Sequence, residues 1–189
     1  MKRLSLTLLA CLTWVTAHAQ NPVATPMAPS PGPLTTVASL DVPRYMGTWF
    51  EIAKYPNWFQ KKCVADTRAD YRLLAGGGVQ VTNRCRKDNA ETNEAIGEAR
   101  QTGGVTSPKL QVRFAPAWLS ALPFVWGDYW VVDIDEAYQL VAVSEPKREY
   151  LWVLSRTPTV NADAYDALLV RLKTQGFDLA RLERSKQGP

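Results

Sequence analysis

Histidine is almost missing from this chain of 189 residues: there is one, His18, and it lies in a segment with the anatomy of a secretion signal. Lys2 and Arg3 open that segment, an apolar run extends from Leu4 to Val15, and small residues stand at Ala17 and Ala19. Cleavage after Ala19 is expected to leave a chain that begins at Gln20 and has no histidine. That absence excludes Ser-His-Asp and Cys-His catalysis, histidine-ligated zinc and histidine-ligated haem. Long hydrophobic runs are missing as well: no stretch reaches the roughly 18–20 apolar residues that a transmembrane helix needs. A strong charge of one sign is also missing. Lys2 and Arg3 leave with the signal, so 20 basic residues face 18 acidic ones and the net charge is +2, too weak and dispersed for a nucleic-acid footprint.

Cysteine is scarce. Cys63 and Cys85 are the two that remain after the signal, an even number in an oxidising compartment, and they are expected to form a disulfide rather than two free thiols. Closing a loop of this length is worth about 3 kcal/mol in the chain-entropy account. The third, Cys11, raises an alternative to simple cleavage, because Leu8-Leu9-Ala10-Cys11 is also a bacterial lipoprotein box whose cysteine would be acylated and retained. Cys11 comes early, and the apolar run continues past it, which favours cleavage after Ala19. Pro22, Pro26, Pro29, Pro31 and Pro33 form a semi-rigid spacer that would suit an anchored domain. The expected organisation is a signal at 1–19, a proline-rich linker at 20–39 and one folded domain at 40–186.

Within that domain, apolar and polar residues alternate in short runs: Thr48 to Tyr55, Thr67 to Leu74, Val79 to Cys85, Glu94 to Thr102, Lys109 to Phe114, Asp128 to Ile134, Tyr138 to Val143 and Tyr150 to Arg156. Ala75-Gly76-Gly77-Gly78, Lys87-Asp88-Asn89, Gly103-Gly104 and Glu145-Pro146-Lys147 supply hairpin turns between them. One helix is expected from Asn161 to Gln175, with Tyr165, Leu168, Leu169 and Leu172 on one stripe and Gly176 as its stop. A last strand is expected at Phe177 to Leu182. The fold class is all-β: an eight-stranded up-and-down antiparallel barrel, closed on itself so that no edge is exposed, with one C-terminal α-helix packed outside.

Eight strands make a barrel that either fills with side chains or holds one small ligand. The period of two assigns the inward positions. On the first strand these are Trp49, Glu51, Ala53 and Tyr55; on the second and third, Ala69, Tyr71, Val81 and Asn83. The fourth and fifth contribute Ala95, Gly97, Val112 and Phe114, and the last three Tyr129, Val131, Val141, Tyr150 and Trp152. Several are Ala or Gly, which leaves room, and the rest form an apolar lining with a few hydroxyls and amides. Lys54, Arg84 and Arg113 are expected to point outward. An enzyme is not expected: Glu51 with Tyr55, Tyr71 or Tyr150 is the one loose constellation, and Glu51 is better suited to accepting hydrogen bonds inside the barrel. No cofactor or metal is implied.

The stretch Asp41-Val42-Pro43-Arg44-Tyr45-Met46-Gly47-Thr48-Trp49-Phe50-Glu51-Ile52-Ala53 resembles the Gly-x-Trp signature that opens the first strand of lipocalins. Leu154-Ser155-Arg156-Thr157-Pro158 resembles the arginine motif of their eighth strand, and Asp133-Ile134-Asp135 with Tyr138 is similar to the middle motif, loosened here by Glu136-Ala137. In detail the sequence is most similar to the branch of bacterial lipocalins and apolipoprotein D. The resemblance implies a cavity for a fatty acid, lysophospholipid or other small hydrophobic molecule, in the periplasm or at the outer membrane. It also implies that Trp49 and Arg156 meet at the closed end, guanidinium over indole. Two loops then belong to the open end, Pro56 to Lys62 with Trp58 and Phe59, and Ala115 to Trp126 with Trp118, Leu119, Phe124 and Trp126. They are expected to meet a membrane, to fold inward as a lid, or to form a homodimer contact. An envelope scaffold that recruits a protein is the competing function.

Overall fold

The computed structural model describes residues 32–188, so the signal segment, Cys11 and most of the proline-rich linker lie outside it. Eight strands follow in sequence: β1 (Gly47–Lys54), β2 (Ala65–Leu73), β3 (Val79–Arg86), β4 (Thr92–Gln101), β5 (Lys109–Arg113), β6 (Gly127–Ile134), β7 (Leu140–Ser144) and β8 (Leu151–Ser155). Each pairs antiparallel with the next, and β1 pairs with both β2 and β8, which closes the barrel. The turns use the expected chemistry. Gly77, at φ +90°, donates to the Leu74 carbonyl in the β2–β3 turn, a conformation in which a Cβ would be strained. The Asp135 carboxylate accepts the backbone N–H groups of Ala137, Gln139 and Leu140 and so holds the β6–β7 turn.

The short helix α1 (Val42–Tyr45) leads into β1, its N–H at Arg44 capped by the Asp41 carboxylate. Before it, residues 34–41 cross the closed end as a strap, with Val37 donating to the Val131 carbonyl and Leu40 to that of Thr106. Helix α2 (Ala162–Thr174) starts at Asn161, whose side chain accepts from the Ala164 N–H. It ends in a Schellman turn: Phe177 donates to Leu172, Gly176 to Lys173, and Gly176 sits at φ +86°. Leu168 and Leu172 are fully buried against Ile52, Ala142, Leu151 and Val153 on the outer wall, each burial worth about 1.5–3 kcal/mol. Arg171 adds a two-pronged bond to Asp133, at 2.6 and 2.9 Å.

Two expectations are corrected by the register. The last strand is Glu183–Arg184, paired with Ala53 and Lys54 of β1, and not Phe177 to Leu182. The Schellman turn draws Phe177 into the core beneath α2, and Asp178 caps a single 3₁₀ turn at Leu179–Arg181, so the chain reaches the sheet later. This short strand, β9, and the tail behind it lie along β1 and the start of β2, with Ser185 donating to the Ile52 carbonyl and Asp66 to that of Lys186. The second correction is in β1. Ile52 is an extra residue in a bulge: Glu51 faces Leu154 but Ala53 faces Val153. A bulge reverses the alternation beyond it, so Ala53 and Tyr55 turn outward into the cluster under α2 and do not face the cavity. Tyr55 packs edge-on against Phe177 and donates to the Asp178 carbonyl. The same reversal turns Lys54 toward Glu51, against the outward orientation expected for it.

Candidate functional site

The barrel encloses a cavity of roughly 800 Å³, within the usual range for small-molecule sites. Its floor is packed solid. Trp49 is fully buried, its indole N–H donates to the Tyr45 carbonyl at 2.9 Å, and the Arg156 guanidinium lies 3.9 Å from the ring centre. Arg156 also donates to the carbonyls of Thr48, Arg44 and Tyr138, so one side chain ties β1, α1 and the β6–β7 turn together. Val131 and Val141, expected on the cavity wall, are completely buried in this floor with Val143 and Leu154. They point inward as the alternation requires, but the layer they occupy is filled.

Above the floor, Ala69, Tyr71, Val81, Asn83, Ala95, Val112, Tyr129, Tyr150 and Trp152 line the cavity where the alternation places them. Gly97 does not. A Cβ there would lie 2.7 Å from the Phe114 ring and 2.6 Å from the Arg113 carbonyl, so Gly97 is the bare spot on which Phe114 rests. Phe114 itself sits at the rim, half exposed, between the cavity and an outer groove. Leu40, Val42, Tyr45 and Met46 also line the cavity. Their only sequence signal was the apolar lead-in to the Gly-x-Trp stretch, since neither strap nor α1 has a strand period.

Glu51 enters the cavity lining as the hub of a polar network. It is 2% exposed; Lys54 at 2.9 Å and Ser185 at 2.5 Å donate to one carboxylate oxygen, and Gln60 at 2.7 Å donates to the other. The Gln60 oxygen in turn accepts the Trp152 indole N–H at 3.0 Å. The carboxylate is thus paired and hydrogen-bonded, as a buried charge must be. Of the tyrosines in the loose constellation with Glu51, Tyr55 lies beyond the wall and the Tyr71 hydroxyl bonds to Tyr129; Tyr150 shares the cavity lining with Glu51, and the carboxylate oxygens are taken by Lys54, Ser185 and Gln60.

At the open end the Cys63–Cys85 disulfide, with Cα atoms 5.5 Å apart, fastens the β1–β2 loop to β3. Phe59 folds inward, its ring 5.7 Å from Tyr150 and 6.2 Å from Trp152, while Trp58 stands out at 71% exposure. On the β5–β6 loop, Trp118 and Phe124 are each 80% exposed and Leu119 is half buried. Trp126 is a different case. It precedes Gly127, which faces the inward Val112, so Trp126 takes the outward parity and lies against the outer wall, 4.0 Å from the Arg100 guanidinium and 5.1 Å from that of Arg113.

A sequence profile described as a lipocalin-like domain matches residues 40–187. The chain belongs to the lipocalin family. It is 38% identical over 156 residues to temperature-induced lipocalin-1 of Arabidopsis thaliana, covering 82% of this chain and 83% of that one. It is 35% identical over 152 residues to the outer membrane lipoprotein Blc of Escherichia coli K12, covering 80% and 81%. Among solved structures, the lipocalin barrel is similar to insecticyanin from Manduca sexta, with a TM-score of 0.63 at 16% identity over 81% of this chain and 84% of that one.

Within the lipocalin barrel, three phenols meet just above the floor. The Tyr129 hydroxyl lies 2.7 Å from that of Tyr45 and 2.9 Å from that of Tyr71. Burial pushes all three up, Tyr71 to about 12 and Tyr45 and Tyr129 well above the usual phenol value. A phenol held protonated in the fold but free to ionise near pH 10 when unfolded stabilises the fold fully below pH 10, and that stabilisation is lost as pH rises toward the folded value. Between pH 10 and pH 12, Tyr71 alone is expected to cost the lipocalin about 2 kcal/mol. Urea unfolding at stepped alkaline pH measures this, and a variant with phenylalanine at all three positions is expected to show a flatter profile.

Proposed function

We propose that this lipocalin binds, stores or transports one small hydrophobic molecule, a fatty acid or lysophospholipid, in the bacterial envelope. The observation that carries the reading is the cavity of roughly 800 Å³, walled by Ala69, Val81, Ala95 and Val112 and bordered by Trp58, Phe59 and Phe124 of the two long loops. Affinity in such a site comes from apolar area removed from water, about 25 cal/mol per Å² before the costs of association, so no reaction is required of it. The likeness to a relative named an outer membrane lipoprotein supports an exported protein in the periplasm or at the outer membrane. Signal cleavage after Ala19 remains the favoured route and acylation of Cys11 the alternative, and both residues lie outside the described part of the chain.

The open end is proposed to dock on a membrane surface while ligand enters or leaves. Trp58, Trp118 and Phe124 project there, and Lys61 and Lys62 are exposed beside Trp58. Aromatic rings next to ammonium groups match a headgroup layer with anionic phosphates. Trp126, turned to the outer wall, takes no part. The purified protein is expected to co-sediment with vesicles of phosphatidylethanolamine and phosphatidylglycerol, and a Trp58→Ser, Trp118→Ser, Phe124→Ser variant to stay largely in the supernatant. Equal sedimentation of the two would refute docking. A variant that instead changes from dimer to monomer by light scattering would assign the rings to a homodimer contact.

A further inference from the structure

We propose that the deep end of the cavity recognises an uncharged oxygen on the ligand, through the hydroxyls of Tyr45, Tyr71 and Tyr129. This rests on the cavity's being a hydrophobic-ligand site and adds what the buried end of that ligand must carry. Three hydroxyls bring three hydrogens, and the chain Tyr45–Tyr129–Tyr71 contains two hydroxyl–hydroxyl contacts, which use two. Whichever way the three are polarised, one hydrogen is left over, on Tyr45 or Tyr71 at an end of the chain or on Tyr129 where both ends donate to it, and no other protein group among the described residues accepts it. Tyr45 and Tyr71 are 2% and 8% exposed, and a donor so placed is costly unless something in the cavity accepts from it.

The rings are not free to turn the hydroxyls elsewhere. Tyr45 packs 5.1 Å from Trp49 and 5.4 Å from Tyr71, and Tyr71 packs 6.3 Å from Tyr129. The surroundings also select against an anion. The neighbouring wall is Leu40, Val79, Val81 and Leu110, and Arg156 lies over Trp49 with its N–H groups committed to three backbone carbonyls. A carboxylate at the floor would be desolvated with no free cation beside it among the described residues. A hydroxyl, ketone or ester oxygen accepts the spare hydrogen without that penalty, and a hydroxyl can also donate to a phenol oxygen. The ligand class is therefore an amphiphile whose charged group stays at the mouth and whose far end is oxygenated, or an apolar alcohol or ketone that enters oxygen first.

Calorimetric titration with tetradecanoate and with its ω-hydroxy counterpart tests this, on the purified protein and on the Tyr45→Phe, Tyr71→Phe, Tyr129→Phe variant, which keeps every ring. The preference for the hydroxylated acid, expressed as the ratio of the two dissociation constants, is expected to fall about 10-fold or more in the variant, because the buried hydroxyl then has no partner. An unchanged ratio overturns the proposal while leaving the hydrophobic-ligand reading intact; failure of the unsubstituted protein to bind either acid overturns both. A second measurement needs no variant. A tetradecanoate bearing a ketone next to its far end is expected to show, when bound to the unsubstituted protein, a carbonyl stretch at lower frequency than in hydrocarbon solvent. An unshifted stretch overturns the proposal.

Discussion

Replacing Trp49 with alanine is expected to lower the unfolding free energy by about 3–5 kcal/mol, the range for removing a fully buried large aromatic side chain. The indole has no exposed surface, so its removal leaves a cavity that the paired strands β1, β2 and β8 cannot collapse into. The loss is not only of packing. The Tyr45 carbonyl loses its donor at 2.9 Å, and the Arg156 guanidinium loses the face it covers at 3.9 Å, a contact worth roughly 0.5–2 kcal/mol. Arg156 would still hold the carbonyls of Thr48, Arg44 and Tyr138, so the closed end should loosen without coming apart. Trp49→Phe keeps most of the buried area and forfeits the N–H, and a smaller loss of about 1–2 kcal/mol is expected. Urea denaturation of the three proteins measures both values. A loss below about 1 kcal/mol for the alanine variant, the size of an ordinary surface effect, would mean that this residue does not plug the floor.

The second large effect is on binding and not on stability. Ala95 lies on β4 opposite Asn83 and faces the cavity, so an indole introduced there enters space that the fold does not itself fill. Ala95→Trp is expected to leave the unfolding free energy close to that of the unsubstituted protein and to weaken binding of tetradecanoate about 5- to 150-fold. That range is the cost of overpacking a filled site, about 1–3 kcal/mol, expressed as affinity. The pair of variants separates floor from wall. Trp49→Ala should damage stability, and Ala95→Trp should damage binding, with each measured by both denaturation and calorimetry. If Ala95→Trp bound the acid as well as the parent does, the ligand would lie elsewhere than between the strands.

The alternation of apolar and polar residues was enough to place eight strands, their order and most of the cavity wall, because in a closed barrel each strand has one inner and one outer face. It fails where the period itself is interrupted. Ile52 is as apolar as its neighbours, so nothing local marks it as an extra residue, and only the pairing of Glu51 with Leu154 and Ala53 with Val153 reveals the bulge. Everything misassigned on β1 follows from it: Ala53 and Tyr55 belong to the core under α2, and Lys54 belongs to Glu51. The Glu51 network was out of reach for another reason. Its partner Ser185 is 134 residues away in sequence, on a tail whose position depends on where the Schellman turn at Gly176 releases the chain. Gly97 shows a related limit. A glycine on an inward position suggests open space, but here it is small because Phe114 lies on it. The Trp49–Arg156 contact was legible through family resemblance, whereas the three meeting phenols had no signal, since Tyr45 lies on α1, outside any strand.

The central claim is that one apolar molecule occupies the barrel, and native mass spectrometry of the protein purified from its own envelope tests it most directly. A complex of one chain with one lipid-sized ligand is expected, lost on delipidation and restored by adding back tetradecanoate or a lysophospholipid, and a much weaker complex for Ala95→Trp. A chain that carries no ligand as purified and takes up none after delipidation would contradict it.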